Sequence, residues 1–233
     1  SIEYLDASER IINNKNEATY YRKISLLASD TANKLLEVTQ YWMDRRLYMH
    51  GICLNNQNLS KKGTFTFYYK NGSKESEGTY FSVPEKGVNS IRNGKWGTWY
   101  PSGQPMCEWF YKISDTYKSS EKNLINFWDS TGVQLVKGGE GEYYYSDSVS
   151  MNNLKHNITF SGIVKEGKFD SIWTGYFPDN KVYSTETYNK GKFVSGKSYD
   201  RSGNEFTYDS IEANPTFPEG DAKLIRFLEN NTA

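Results

Sequence analysis

The chain writes GTFTFYYKNG at residues 63–72 and, 31 residues further on, GKWGTWYPSG at residues 94–103. Each stretch opens on a glycine, alternates ring-bearing with smaller or polar residues, and closes on Asn71-Gly72 or Ser102-Gly103. Such dipeptides supply the left-handed backbone that a hairpin turn requires, because glycine has no Cβ to clash there. A short alternating run entering a turn of this kind reads as a β-strand, and KESEGTY at residues 74–80 and KVYSTETY at residues 181–188 read as return strands. The unit is a β-hairpin.

Fixing the turn residue extends the reading along the chain. With Arg45, Gly72, Gly103, Gly132, Asn180 and Gly203 set equivalent, the residue four places earlier is Tyr41, Tyr68, Trp99, Trp128, Tyr176 and Tyr199. All six are aromatic in a chain that is 16% aromatic, so the column marks a repeat. Nine residues before three of the turns stand Gly63, Gly94 and Ser171, and WTGYFPDN at residues 173–180 follows WGTWYPSG at residues 96–103 through to the proline. The stretch 138–156 holds a degenerate copy with Tyr143, Tyr144 and Tyr145. A period near thirty residues is the mark of an array of supersecondary units. The expected fold is all-β: an extended antiparallel meander of hairpins in one twisted sheet over residues 1–210, clearest over 41–210.

Composition narrows the function classes. Only 36% of the 233 residues are apolar, and 19 Tyr, 12 Phe and 6 Trp must supply much of the buried area. The 28 basic and 28 acidic residues cancel, so the electrostatic footprint of a nucleic-acid binder is missing and no nucleic-acid partner is expected. No run approaches the roughly 18 apolar residues of a membrane helix. Ser1 in place of Met is compatible either with a removed signal peptide or with a start set inside a longer chain. Cys53 and Cys107, counted from their turns, belong to different hairpins with a complete hairpin between them, so they are expected to be unpaired.

Few residues are spaced for chemistry. His50 and His156 lack a second histidine at helical metal-ligand spacing and read as solvated strand or turn residues. Asp129 and Asp200, each three residues before a glycine, read as caps of local backbone amides rather than as a carboxylate pair for acid–base work. Gly138-Gly139-Glu140-Gly141 lacks the setting of a phosphate loop and reads as a bulge or link. No cofactor, metal or catalytic residue is expected. Because side chains alternate across a strand, Phe65, Trp96 and Trp173 share a face with Tyr69, Tyr100 and Phe177, opposite the column. These six are the candidate binding face, offering ring area for stacking, and the column is expected to be structural.

Gly-x-Trp-x-x-Trp-Tyr-x-x-Gly with Glu-Gly-x-Tyr, as in GKWGTWYPSG and ESEGTY, resembles the MORN-variant hairpin repeat of bacterial envelope and antitoxin-like proteins, over roughly residues 41–210. The tail, NPTFPEGDAKLIRFLENN at residues 214–231, is similar to the opening of a TonB C-terminal domain, with Glu219 replacing the first glycine of its Gly-Gly pair. Together with ATYYR at residues 18–22 and FWDSTG at residues 127–132, the arrangement resembles Bacteroidetes-type proteins that place MORN-like repeats before a TonB-like domain. The resemblance implies a periplasmic or cell-envelope protein that binds rather than catalyses. Its expected partner is an envelope protein, engaged through the repeat sheet or its edge. The alternative is a carbohydrate or peptidoglycan chain on an aromatic face. Residues 211–233 are expected to be a linker and an incomplete TonB-like segment. Within it Ala222, Leu224, Ile225, Phe227 and Leu228 are spaced for a short amphipathic helix.

Overall fold

The structure is a computed structural model that describes residues 1–210, except 31, 33, 84–87, 118, 152 and 153. The helix expected within residues 221–230 lies outside the described residues. Among the latter the fold is a run of seventeen antiparallel strands forming one meander sheet. They are β1 (Ile2–Leu5), β2 (Ile11–Ile12), β3 (Tyr20–Leu26), β4 (Leu35–Trp42), β5 (Leu47–Leu54), β6 (Lys61–Tyr68), β7 (Lys74–Val83), β8 (Val88–Trp99) and β9 (Pro105–Ile113). There follow β10 (Ser120–Trp128), β11 (Gln134–Lys137), β12 (Glu140–Met151), β13 (Leu154–Lys165), β14 (Lys168–Tyr176), β15 (Val182–Asn189), β16 (Lys192–Tyr199) and β17 (Glu205–Tyr208). One 3₁₀ turn, Lys15–Glu17, is capped by the Asn14 side chain, which accepts from the Asn16 amide. β1 pairs with both β2 and β3. The described residues divide into two compact units: Ser1–Tyr143 with Val164–Lys168, and Tyr144–Ile163 with residues 169–210.

The six turn residues set equivalent in the sequence share one backbone state. Arg45, Gly72, Gly103, Gly132, Asn180 and Gly203 have φ of 72, 89, 89, 95, 62 and 89°. Each donates its N–H to the carbonyl three residues back, as Gly72 does to Tyr69, whose own N–H is taken by the residue after the turn, Ser73. This is a three-residue hairpin loop whose last member is left-handed. The column residue then pairs with the residue two beyond the turn in every copy: Tyr41 with Leu47, Tyr68 with Lys74, Trp99 with Pro105, Trp128 with Gln134, Tyr176 with Val182 and Tyr199 with Glu205.

Short polar side chains hold the loops shut. Asn71 Oδ1 accepts from the Ser73 amide and Asp44 Oδ1 from the Arg46 amide. Asp129 Oδ1 takes the amides of Thr131 and Val133, and Asp200 Oδ1 those of Ser202 and Asn204, which is the capping role read from the sequence. Hydrogen bonds led by Thr131 at Asp129 and Asn204 at Asp200 hold both carboxyls below the ordinary range. A lowered folded pKa contributes stability that is present above the unfolded value of about 4 and is lost as pH falls through the folded value. Asp129→Ala and Asp200→Ala are therefore expected to flatten the acid limb of a plot of melting temperature against pH, and an unchanged limb contradicts the capping role.

The left-handed turn position also sets a backbone test. A Cβ added at Gly72 meets nothing within 4 Å, so Gly72→Ala is expected to lose only the roughly 1–2 kcal/mol of left-handed strain. Arg45, already carrying that strain, is expected to gain roughly 0.5–1 kcal/mol on replacement by glycine, read from urea midpoints.

The core follows one line of paired residues across the first unit. Ile24, Val38, Gly51, Phe65, Gly78, Trp96, Trp109 and Leu124 are successive cross-strand partners from β3 to β10. Large rings alternate with glycines at its centre. A Cβ at Gly51 would stand 2.5 Å from the Phe65 ring, and one at Gly78 would stand 2.2 Å from the Trp96 ring. Each ring therefore lies flat on the backbone of the preceding strand, in the space a side chain would fill. Tyr80 joins them edge-on, at 5.3 Å from Phe65 and 5.1 Å from Trp96. The second unit repeats the device with Trp173 over Gly162. Both buried indoles donate Nε1–H to a carbonyl, Trp96 to Thr79 and Trp173 to Ile163, each at 3.1 Å, so neither carries an unmet donor into the core.

Candidate binding face

The alternation of strands gives the sheet two unlike sides. Phe65, Trp96, Trp173 and Phe177 are no more than 2% exposed. Tyr69 and Tyr100, half-buried on the same side, spend their hydroxyls on the carbonyls of Trp99 and Trp128, at 2.8 and 2.9 Å. The face singled out from the sequence for stacking is thus the packing face, and that expectation is corrected. The glycines opposite its rings let them collapse onto the backbone, whereas the other side carries charges that would lose their hydration if buried.

The open side of the first unit is fixed by a second line of partners: Lys23, Thr39, His50, Thr66, Glu77, Gly97, Glu108 and Asn126. Tyr41, Tyr68, Trp99 and Trp128 lie two residues along their strands from Thr39, Thr66, Gly97 and Asn126, so all four share this side, and all four are half-buried. In the second unit Thr174, Thr185, Lys197 and Thr207 form the corresponding line, with Tyr176 and Tyr199 beside it. In each unit the column is a half-buried aromatic array on the open side.

The array deepens into a groove of about 710 Å³ running across the strands from β6 to β10. Trp99, Trp128 and the 41%-exposed ring of Phe110 supply its apolar surface, and Glu77, Glu108 and Asn126 its hydrogen-bonding groups. Gly97 makes room: a Cβ there would come 2.6 Å from the Trp99 ring. Glu77 accepts from Lys74 Nζ and Thr66 Oγ1, both at 2.9 Å, and the Lys74 ammonium is the leading reason its carboxyl lies below the ordinary range. The same ammonium sits 4.8 Å from the centre of the Trp99 ring. Glu108 accepts from Asn126 Nδ2.

The other residues considered in the sequence stand elsewhere. His50 Nε2 is 3.1 Å from Glu37 Oε1 on the open side, and the His156 ring lies 6.2 Å from that of Phe177. Among the described residues no three of His, Cys, Asp and Glu gather where a metal ion could sit, and no helix is long and apolar enough to cross a membrane. Cys53 and Cys107 are free and buried, as expected from their hairpins, and burial pushes both thiols up to about 11. Glu108, Phe110 and Asn126 escaped the sequence reading, because their meeting with Trp99 depends on cross-strand register rather than on neighbouring positions. A scan against family models, a search of curated proteins and a search of solved structures each return no match.

Proposed function

We propose that this chain is a non-enzymatic binding module of the bacterial cell envelope that holds an extended ligand across the open side of its hairpin sheet. The observation that carries the reading is the column: one hairpin register, repeated six times, places a half-buried ring on the open side of its unit each time. Concave, ring-lined surfaces with a few placed polar groups are where ligands are held. Binding is favoured over hydrolysis by the state of the groove's acids. A glycosidase-like pair needs one carboxyl with a raised pKa as proton donor, whereas the Lys74 ammonium holds Glu77 low. The envelope setting rests on the MORN-like and TonB-like motifs quoted above.

The test is co-sedimentation of the purified chain with a washed bacterial envelope fraction. Retention is expected to fall at least tenfold in Trp99→Ala/Trp128→Ala and to stay at the wild-type level in Arg45→Gly. Absent retention, or retention indifferent to the two tryptophans, overturns the reading.

A further inference from the structure

We infer that the open groove takes a neutral, β-1,4-linked glycan lying across the strands, an assignment that rests on the open-side binding reading and names its ligand class. The first observation is spacing. Tyr68, Trp99 and Trp128 stand at the same register point on β6, β8 and β10, every second strand. Strands lie about 4.8 Å apart, so the rings recur at about 9.6 Å. That is close to the length of two pyranose rings joined through equatorial bonds, the repeat of an extended β-1,4-linked chain. A chain of axially linked sugars coils and cannot keep step with such a ladder.

The second observation is extent. The groove is lined by residues of every strand from β6 to β10, with Trp99 and Trp128 among them, and Tyr68 stands on the same side two residues beyond Thr66, so a linear chain laid across the strands meets the three rings in succession. The third is charge. Glu77, Glu108 and Lys95 line the groove, and Lys74 adds a second ammonium beside it, ion-paired with Glu77 at 2.9 Å. A balanced surface has no preference for a polyanion or a polycation, and carboxylate and amide groups between rings match the hydroxyls that edge a flat sugar chain. Lys74, poised over Trp99 on a flexible stem, moves aside as a sugar ring stacks there.

The test is titration calorimetry of the intact chain with cellohexaose, chitohexaose and maltohexaose, and with the shorter β-linked oligomers. Affinity for at least one β-linked series is expected to rise with length until the chain spans the three rings, with maltohexaose at least tenfold weaker. Trp99→Ala and Trp128→Ala are each expected to cost at least tenfold and Tyr68→Ala less. All three are to be checked for folding by their urea midpoints. Equal affinity for maltohexaose, no length dependence, or no binding by either β-linked hexaose overturns the assignment. Envelope retention that still depends on Trp99 and Trp128 while no hexaose binds refutes the glycan alone; retention indifferent to them refutes the open-side reading beneath it.

Discussion

Trp96→Ala is expected to cost about 3–5 kcal/mol, the range for deleting a large buried ring, and the cost should depend on the residue facing it. Trp96 is 2% exposed, lies on Gly78 and anchors a chain of rings from Phe65 to Tyr111. Gly78→Ala in the wild-type protein drives a methyl group to 2.2 Å from that ring and is expected to cost about 1–3 kcal/mol by overpacking. In the Trp96→Ala background the obstacle is gone. There the same change should be neutral or stabilising, by up to roughly 1 kcal/mol, because alanine restricts the unfolded chain more than glycine does. The coupling is the signature of a ring lying on a glycine. Equal costs for Gly78→Ala in the two backgrounds contradict this packing.

The second large effect is chemical. With their thiols pushed up to about 11, Cys53 and Cys107 are ionised in roughly one molecule in a thousand near pH 8. An unfolded thiol titrating near 8.5 is about a quarter ionised under the same conditions. Burial at 3% and 5% exposure further excludes reagent. The native chain is therefore expected to react with a thiol-specific disulfide reagent at least a hundredfold more slowly than the unfolded chain, which should release two equivalents without prior reduction. Fast reaction of either thiol in the native state places it outside the core described here.

What the sequence made legible was local. The turn glycines and asparagines announce a left-handed position, and the ring four residues earlier comes with them, because loop length ties the two within one strand. Asp129 and Asp200 were readable as caps for the same reason. The faces were not readable, since both carry rings. Which one buries is decided by Gly51 and Gly78, and their meeting with Phe65 and Trp96 exists only once adjacent hairpins are in register. A second irregularity hides that register. Beside the column, the pairing slips between Gln40 and Tyr41, Phe67 and Tyr68, Thr98 and Trp99, and Phe127 and Trp128. Each slip is a β-bulge, which leaves one residue without a partner and shifts all later pairs. Counting outward from the Gly103 turn without it would have set Cys107 rather than Glu108 opposite Gly97, and a further slip between Leu124 and Asn126 sets Asn126 against Glu108, so the groove around Gly97 could not be assembled from the sequence.

One repeated register turns Trp99 and Trp128 toward the open side of the first unit, while Trp96 in that unit and Trp173 in the second are sealed into the packing face. Limited oxidation of the native chain with N-bromosuccinimide, followed site by site with peptide mass spectrometry, measures this for all six tryptophans in one experiment. Trp99 and Trp128 are expected to be consumed while Trp96 and Trp173 remain intact until the chain unfolds. Oxidation of Trp96 or Trp173 as fast as Trp99 would contradict the assignment of the two sides and, with it, the binding face.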